Sequence, residues 1–267
     1  VAAALTPRLV PVFAADRTGS LDLGRALAFV AGATVIVYAL SESQWWLLAP
    51  GALLLAGWVR TDRSGVVRNG PLVAGSVMML GVTSILAGTF FLNSVYLQAD
   101  LGWSALRSGL AFLPFVAAIT AGVHVTSHAI ARAGSRVLLV TGLALTALGA
   151  FALALAPSQA SYATDLLPGF VVLGLGMGIA IPAISITAMS EVAHRTAGVA
   201  SGLLSTAHEI GAAFGVAGLS AIALASHPVD YGSGAIAAAI VAGALAVAAA
   251  IVMPAVRPTP GTHAAMH

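Results

Sequence analysis

Eight apolar stretches of about twenty residues each, separated by short polar loops, run the length of this chain. A twenty-residue helix rises roughly 30 Å, the thickness of a bilayer's hydrocarbon core. Inside hydrocarbon, every backbone N–H and C=O must find a partner within the protein, which leaves helices or closed barrels as the spanning structures. Unbroken apolar runs of this length are the helical solution. Charged residues make up 7% of the 267, against roughly 25% in a soluble domain. So few charges cannot clothe a water-facing surface. The chain reads as an all-α membrane protein with about eight transmembrane helices.

The spans are drawn at about Leu23–Leu40, Trp45–Val59, Pro71–Leu97, Ser104–Thr126, Val137–Ala156, Thr164–Met189, Ala197–Ala225 and Ser233–Met253. Trp45 and Trp46 stand where an interfacial aromatic belt would fall. Pro71 suits a first helical turn, where its missing N–H does no harm. Ser104 is a candidate N-cap for the fourth span, and Pro157 closes the fifth. Trp45–Val59 is the shortest span. The first fifteen residues resemble a secretory signal, but Pro7, Arg8 and Pro11 interrupt the apolar run and no basic segment precedes it, so that reading is rejected. The stretch is read instead as an internal loop of a longer protein whose N-terminal part is missing.

All eleven basic residues are arginines. Alternating spans place Arg8, Arg17, Arg25, Arg60, Arg63, Arg68, Arg132, Arg136, Arg195 and Arg257 on one side and Arg107 alone on the other. By the positive-inside rule the arginine-rich side is cytoplasmic, and both ends of the segment lie there. Arginines scattered through short loops do not suit nucleic-acid binding. The chain has no cysteine, which removes disulfides and thiolate metal or redox sites.

The stretch from Pro71 to Phe115 carries YLQ at Tyr96–Gln98, LGWSALRSGL at Leu101–Leu110, then Leu113-Pro114. It resembles the start of the C-terminal bundle in the fourteen-span drug:proton antiporters of the major facilitator superfamily. Gly198–Gly202 and Gly211–Ala217 are similar to that family's penultimate helix. Asp22–Leu40 resembles the first of its two extra central helices. Ser127–Arg136 matches in part the superfamily's basic loop, through Arg132, Gly134 and Arg136, while Ala131 replaces its Asp. The resemblance implies a cytoplasmic loop at 1–22, two extra central transmembrane helices at 23–60, a cytoplasmic loop at 61–70, a C-terminal six-helix transporter bundle at 71–254 and a cytoplasmic tail at 255–267. An N-terminal six-helix bundle would complete the protein and half of its substrate cavity.

Glu209 is the deepest charged group, roughly 18 Å along the seventh span from Ala197. An ionisable group at that depth is a functional candidate by default, and desolvation is expected to favour its neutral form. The alternative is a neutral Glu hydrogen-bonded to a neighbouring helix for packing. Glu209 and His208 are the proton-coupling candidates, although adjacent residues point about 100° apart on a helix and do not automatically pair. Ser205 and Thr206 share Glu209's face at helical spacing. They join Asn93 and Thr89 of the third span as substrate-cavity candidates. Tyr96 and Gln98 suit interfacial packing. Gly198 with Gly202, and Gly211 with Gly215, read as close-packing pairs. Gly174, Gly176 and Gly178 lie inside a span without phosphate-loop spacing, and also read as packing.

His124 and His128 are four apart, as two zinc ligands can be, but no third ligand has suitable spacing, so no metal site is assigned. His263 and His267 are weaker still. No phosphate-binding motif points to ATP, and no catalytic constellation points to an enzyme. The expected function is the C-terminal portion of a proton-coupled multidrug or small-molecule efflux transporter working by alternating access. It would need no cofactor beyond the proton gradient. Its partners are the lipid bilayer, an amphipathic small-molecule substrate and the missing N-terminal bundle, and its place is the cell membrane. The alternative is a non-transporting membrane sensor or assembly protein with the same type of fold.

Overall fold

The computed structural model describes residues 23–41, 44–61, 65, 68–157, 160–193, 196–224 and 230–254. The loop at 1–22 with Arg8 and Arg17, then Arg63 and Arg195, and the tail with Arg257, His263 and His267 lie outside these residues. Among the described residues all regular structure is helical. Helix α1 is Leu23–Ser41, and a 3-10 turn at Trp45–Leu47 leads into α2, Leu48–Arg60. Helix α3, Gly70–Val95, ends in a π turn at Tyr96–Asp100. The fourth span is α4, Ala105–Ala111, followed by α5, Leu113–Ala133. Then come α6, Ser135–Ala154, and α7, Leu167–Met189, entered through a π turn at Tyr162–Leu166. Helix α8 is Ala197–Leu224 and α9 is Tyr231–Val252.

Local chemistry sets several of these boundaries. Asn69 caps α3 by accepting from the Leu72 N–H at 2.9 Å, with Pro71 in the first turn behind it. Ser104 caps α4 as its position suggests, taking the Arg107 N–H at 3.3 Å. Asp230 caps α9 through the Ser233 N–H at 3.3 Å. The fourth span outruns its expected end at Thr126 and continues to Ala133, because the polar Ser127–His128 segment stays helical by bonding its side chains back to the His124 carbonyl. The 13 residues of α2 reach only roughly 20 Å. Gly70–Asp100, Ala105–Ala133, Ser135–Ala154, Tyr162–Met189 and Tyr231–Val252 are long and apolar enough to cross a membrane.

Helix α7 is the hub. It packs along α5 and α6 and touches α3, and α3 in turn packs along α8. Residues two apart on a helix lie about 200° apart, so Gly174 and Gly178 share one side of α7 and Gly176 the other. Gly174 and Gly178 abut Phe115 and Ile119 of α5, while Gly176 abuts Gly142 and Thr146 of α6. A methyl group at any of the three would collide with neighbouring backbone, so the packing reading of this glycine run holds. The bundle core has two parts. Leu72, Val82, Leu139, Leu143, Ala180 and Ile184 fill the arginine-rich half, and Ile85, Leu97, Leu166, Phe170, Leu173 and Met177 the other. Many large side chains point outward, among them Leu148 at 60% exposure, Ile240 at 66% and Ile251 at 75%. Water cannot solvate such a surface, which calls for lipid or a protein neighbour. Helices α1 and α2 form a hairpin joined by the Phe29–Trp58 ring contact at 4.9 Å, and α1 leans on α8.

Candidate transport site

Helix α8 has two unlike sides. One is locked to α3. Gly211 and Gly215 sit against Leu80, Thr83 and Ser84 with no room for a methyl group. The Ser84 hydroxyl donates to the Gly211 carbonyl at 2.7 Å, and the Thr83 hydroxyl to the His208 carbonyl at 3.0 Å. Each contact brings a polar group of α3 onto backbone that small residues leave bare. Gly198 and Gly202, expected to pack in the same way, do not: a methyl group at either would meet nothing within 4 Å among the described residues. They lie on the exposed side of α8, where no described helix of this chain reaches them.

The other side carries Ser205, Thr206 and Glu209. With Val30, Thr34 and Tyr38 of α1 they bound an open cavity of about 540 Å³. Val30, Thr34 and Tyr38 escaped sequence reasoning, although their spacing of four puts them on one stripe of α1. The Glu209 side chain is 75% exposed, and His208 Nδ1 lies 3.4 Å from its Oε1. The two adjacent side chains do meet, against the 100° expectation, because both are long enough to bend across the face. The burial expected of Glu209 is not supplied by the packing of the described residues. The hydroxyl of Thr206 is turned back onto the Gly202 carbonyl at 2.9 Å, a common local arrangement for helical Ser and Thr.

Asn93 and Thr89 do not join this group. They line a separate pocket of about 40 Å³ inside the bundle, with Tyr96, Tyr231 and Gly232. That volume holds water but no drug-sized molecule, for which pockets run to roughly 300–1,000 Å³. The Asn93 amide donates to the Thr89 carbonyl at 2.8 Å. The Thr89 hydroxyl is buried and has no partner among the described residues. Tyr96 ties α3 to the α6–α7 connection, its hydroxyl donating to the Pro157 carbonyl at 2.9 Å.

Arg132 stands in the last turn of α5, and Gly134 is the single residue between α5 and α6, at φ 81° and ψ 157°. Arg136 follows in the first turn of α6. His124 and His128 each turn Nδ1 to the backbone carbonyl four residues back, at 2.8 Å in both cases. Among the described residues no three His, Asp or Glu side chains cluster as metal ligands would.

The family model described as Major Facilitator Superfamily matches residues 1–216. The chain belongs to that superfamily. Curated relatives of this superfamily chain include the puromycin resistance protein pur8 of Streptomyces alboniger, 32% identical over 81% of this chain and 48% of the relative. The probable actinorhodin transporter of Streptomyces coelicolor is 30% identical over 75% of this chain and 38% of the relative. The cephamycin export protein CmcT of Amycolatopsis lactamdurans is 28% identical over 90% and 55%. The chain thus spans about half the length of the curated relatives it matches. It is a multi-pass membrane protein of a transporter superfamily and not an enzyme.

Proposed function

We propose that this superfamily chain is the C-terminal portion of a proton-coupled exporter of drugs or other amphipathic small molecules, working by alternating access. The observation that carries the reading is the division of α8. One side is fixed to α3 by Gly211 and Gly215, while the other presents Glu209, His208, Ser205 and Thr206 to open space. An exposed carboxylate on a span has a use only where water, a substrate or another bundle meets it. Relatives named for resistance and export support an outward direction.

In this reading a second six-helix bundle meets the free side of α8, and the cavity between the bundles opens to either side in turn. Glu209, helped by His208, takes a proton from outside and releases it inside, while Ser205 and Thr206 line the substrate path. Asn93 and Thr89, in their small pocket, lie off this path. The α1–α2 hairpin and the α3–α9 bundle correspond to the two extra helices and the C-terminal bundle. Both ends of the segment face the cytoplasm and the site of action is the cell membrane. The turn of Arg132, Gly134 and Arg136 lies at the inner surface.

The test uses the full-length protein in vesicles under an imposed pH gradient, with a fluorescent amphipathic cation as substrate. Export should accelerate with the gradient, and Glu209→Gln should uncouple it while leaving the protein folded. Export that ignores the gradient would remove proton coupling from the mechanism.

A further inference from the structure

A groove of about 700 Å³ opens at the arginine-poor end of the bundle, between the α4–α5 run and the start of α7. At its mouth the Arg107 guanidinium lies over the Trp103 ring, 3.8 Å from the centroid. The Trp103 ring in turn meets Tyr162 at 5.7 Å, and the Tyr162 hydroxyl is fixed by the Ala111 carbonyl at 2.6 Å. Arg107 is therefore held over a braced aromatic platform. A guanidinium above a ring can still turn its edge donors to a phosphate. Among the described residues no carboxylate pairs with Arg107. Of the described acids at this end, Asp100, Asp165 and Asp230, none lines the groove. The Asp165 carboxylate is already engaged by the Ser161 N–H at 2.7 Å and the Thr164 hydroxyl at 2.9 Å.

Below Arg107 the groove turns apolar. Leu110 and Pro114 follow it at spacings of three and seven, on the same side of the helical run, and Leu110 is exposed. A charged head group at the aromatic level with an apolar channel beneath it is the profile of a phospholipid standing in one leaflet.

We propose that this groove is a binding site for a phospholipid whose phosphate sits on Arg107 and whose acyl chain lies along Leu110 and Pro114. The inference rests on the membrane setting and not on export. Trp103 and Tyr162 orient the head group, and the lipid fastens the α4–α5 run to the start of α7.

The probe is phosphatidylglycerol added to the delipidated, detergent-purified full-length protein, with native mass spectrometry counting bound lipid and thermal melting as a second readout. Wild type should hold one more lipid than Arg107→Gln, with at least tenfold tighter binding and a melting shift that the variant lacks. Arg107→Lys, which keeps the charge and loses the fork of guanidinium donors, should fall between. Because Arg107 is exposed, both variants should fold, and unchanged melting without lipid checks this. Equal binding by wild type and Arg107→Gln would overturn the site. So would diacylglycerol of the same chains binding as well as the phospholipid. Displacement of the lipid by millimolar inorganic phosphate would make it a free-anion site and overturn the lipid assignment.

Discussion

Gly134 occupies a backbone conformation, φ 81° with ψ 157°, that is nearly closed to any residue with a Cβ and costs of the order of 1–3 kcal/mol when forced. Gly134→Ala should therefore lower the thermal stability of the purified protein by about that much, although the side chain added is a single methyl. Thr89 makes the opposite case. Its buried hydroxyl has no partner among the described residues, so Thr89→Val, nearly the same shape, should leave stability unchanged or raise it by about 1 kcal/mol. A loss of that size on denaturant titration would mean that water in the 40 Å³ pocket already satisfies the hydroxyl. Glu209 is different again, since its worth lies in coupling rather than in folding. With its side chain 75% exposed, Glu209→Gln should melt within about 0.5 kcal/mol of wild type while export loses its dependence on the gradient.

Among the elements, glycine spacing was legible and glycine contact was not. Gly198–Gly202 and Gly211–Gly215 present the same four-residue pattern on one helix, yet among the described residues only the second pair meets a neighbour. Gly215→Val should push α3 and α8 apart and cost about 1–3 kcal/mol or more. Gly202→Val, facing open space, should stay within about 0.5 kcal/mol. Melting the two variants side by side checks the pair. The reason the faces could not be read lies in the solvent. In water, polar residues mark the outer face of a helix. In lipid both faces are apolar, so Leu148 pointing outward and Leu143 pointing inward look alike in the sequence. Span limits were legible because loops must carry polar residues and helix starts need caps, as at Ser104. The break at Phe112 has a local cue in Pro114, which has no N–H for the Leu110 carbonyl, but the two π turns have none, because they answer to tertiary contacts such as Tyr162 with Ala111. Placing Asn93 apart from Glu209 likewise needed the helix rotations, which length and hydropathy do not encode.

At the scale of the whole molecule, the side of α8 that bears Glu209 meets α1 of the same chain across an open cavity. The second bundle proposed to meet this side would part α1 from α8, so in the full-length protein Thr34→Cys with Thr206→Cys should fail to cross-link through a short flexible bifunctional reagent in membranes while each single variant still labels, this chain bringing no cysteine of its own. A cross-link would keep α1 on this side and leave the bundle no place there. Export competence under a pH gradient, read on the same preparation, ties the result to a working state. The single residue joining α5, ending at Ala133, to α6, beginning at Ser135, has a mechanical side. A one-residue joint made of glycine is a free pivot, and what keeps its two arms from folding on each other is α7, which both of them grip: the three close like a hinge around its pin.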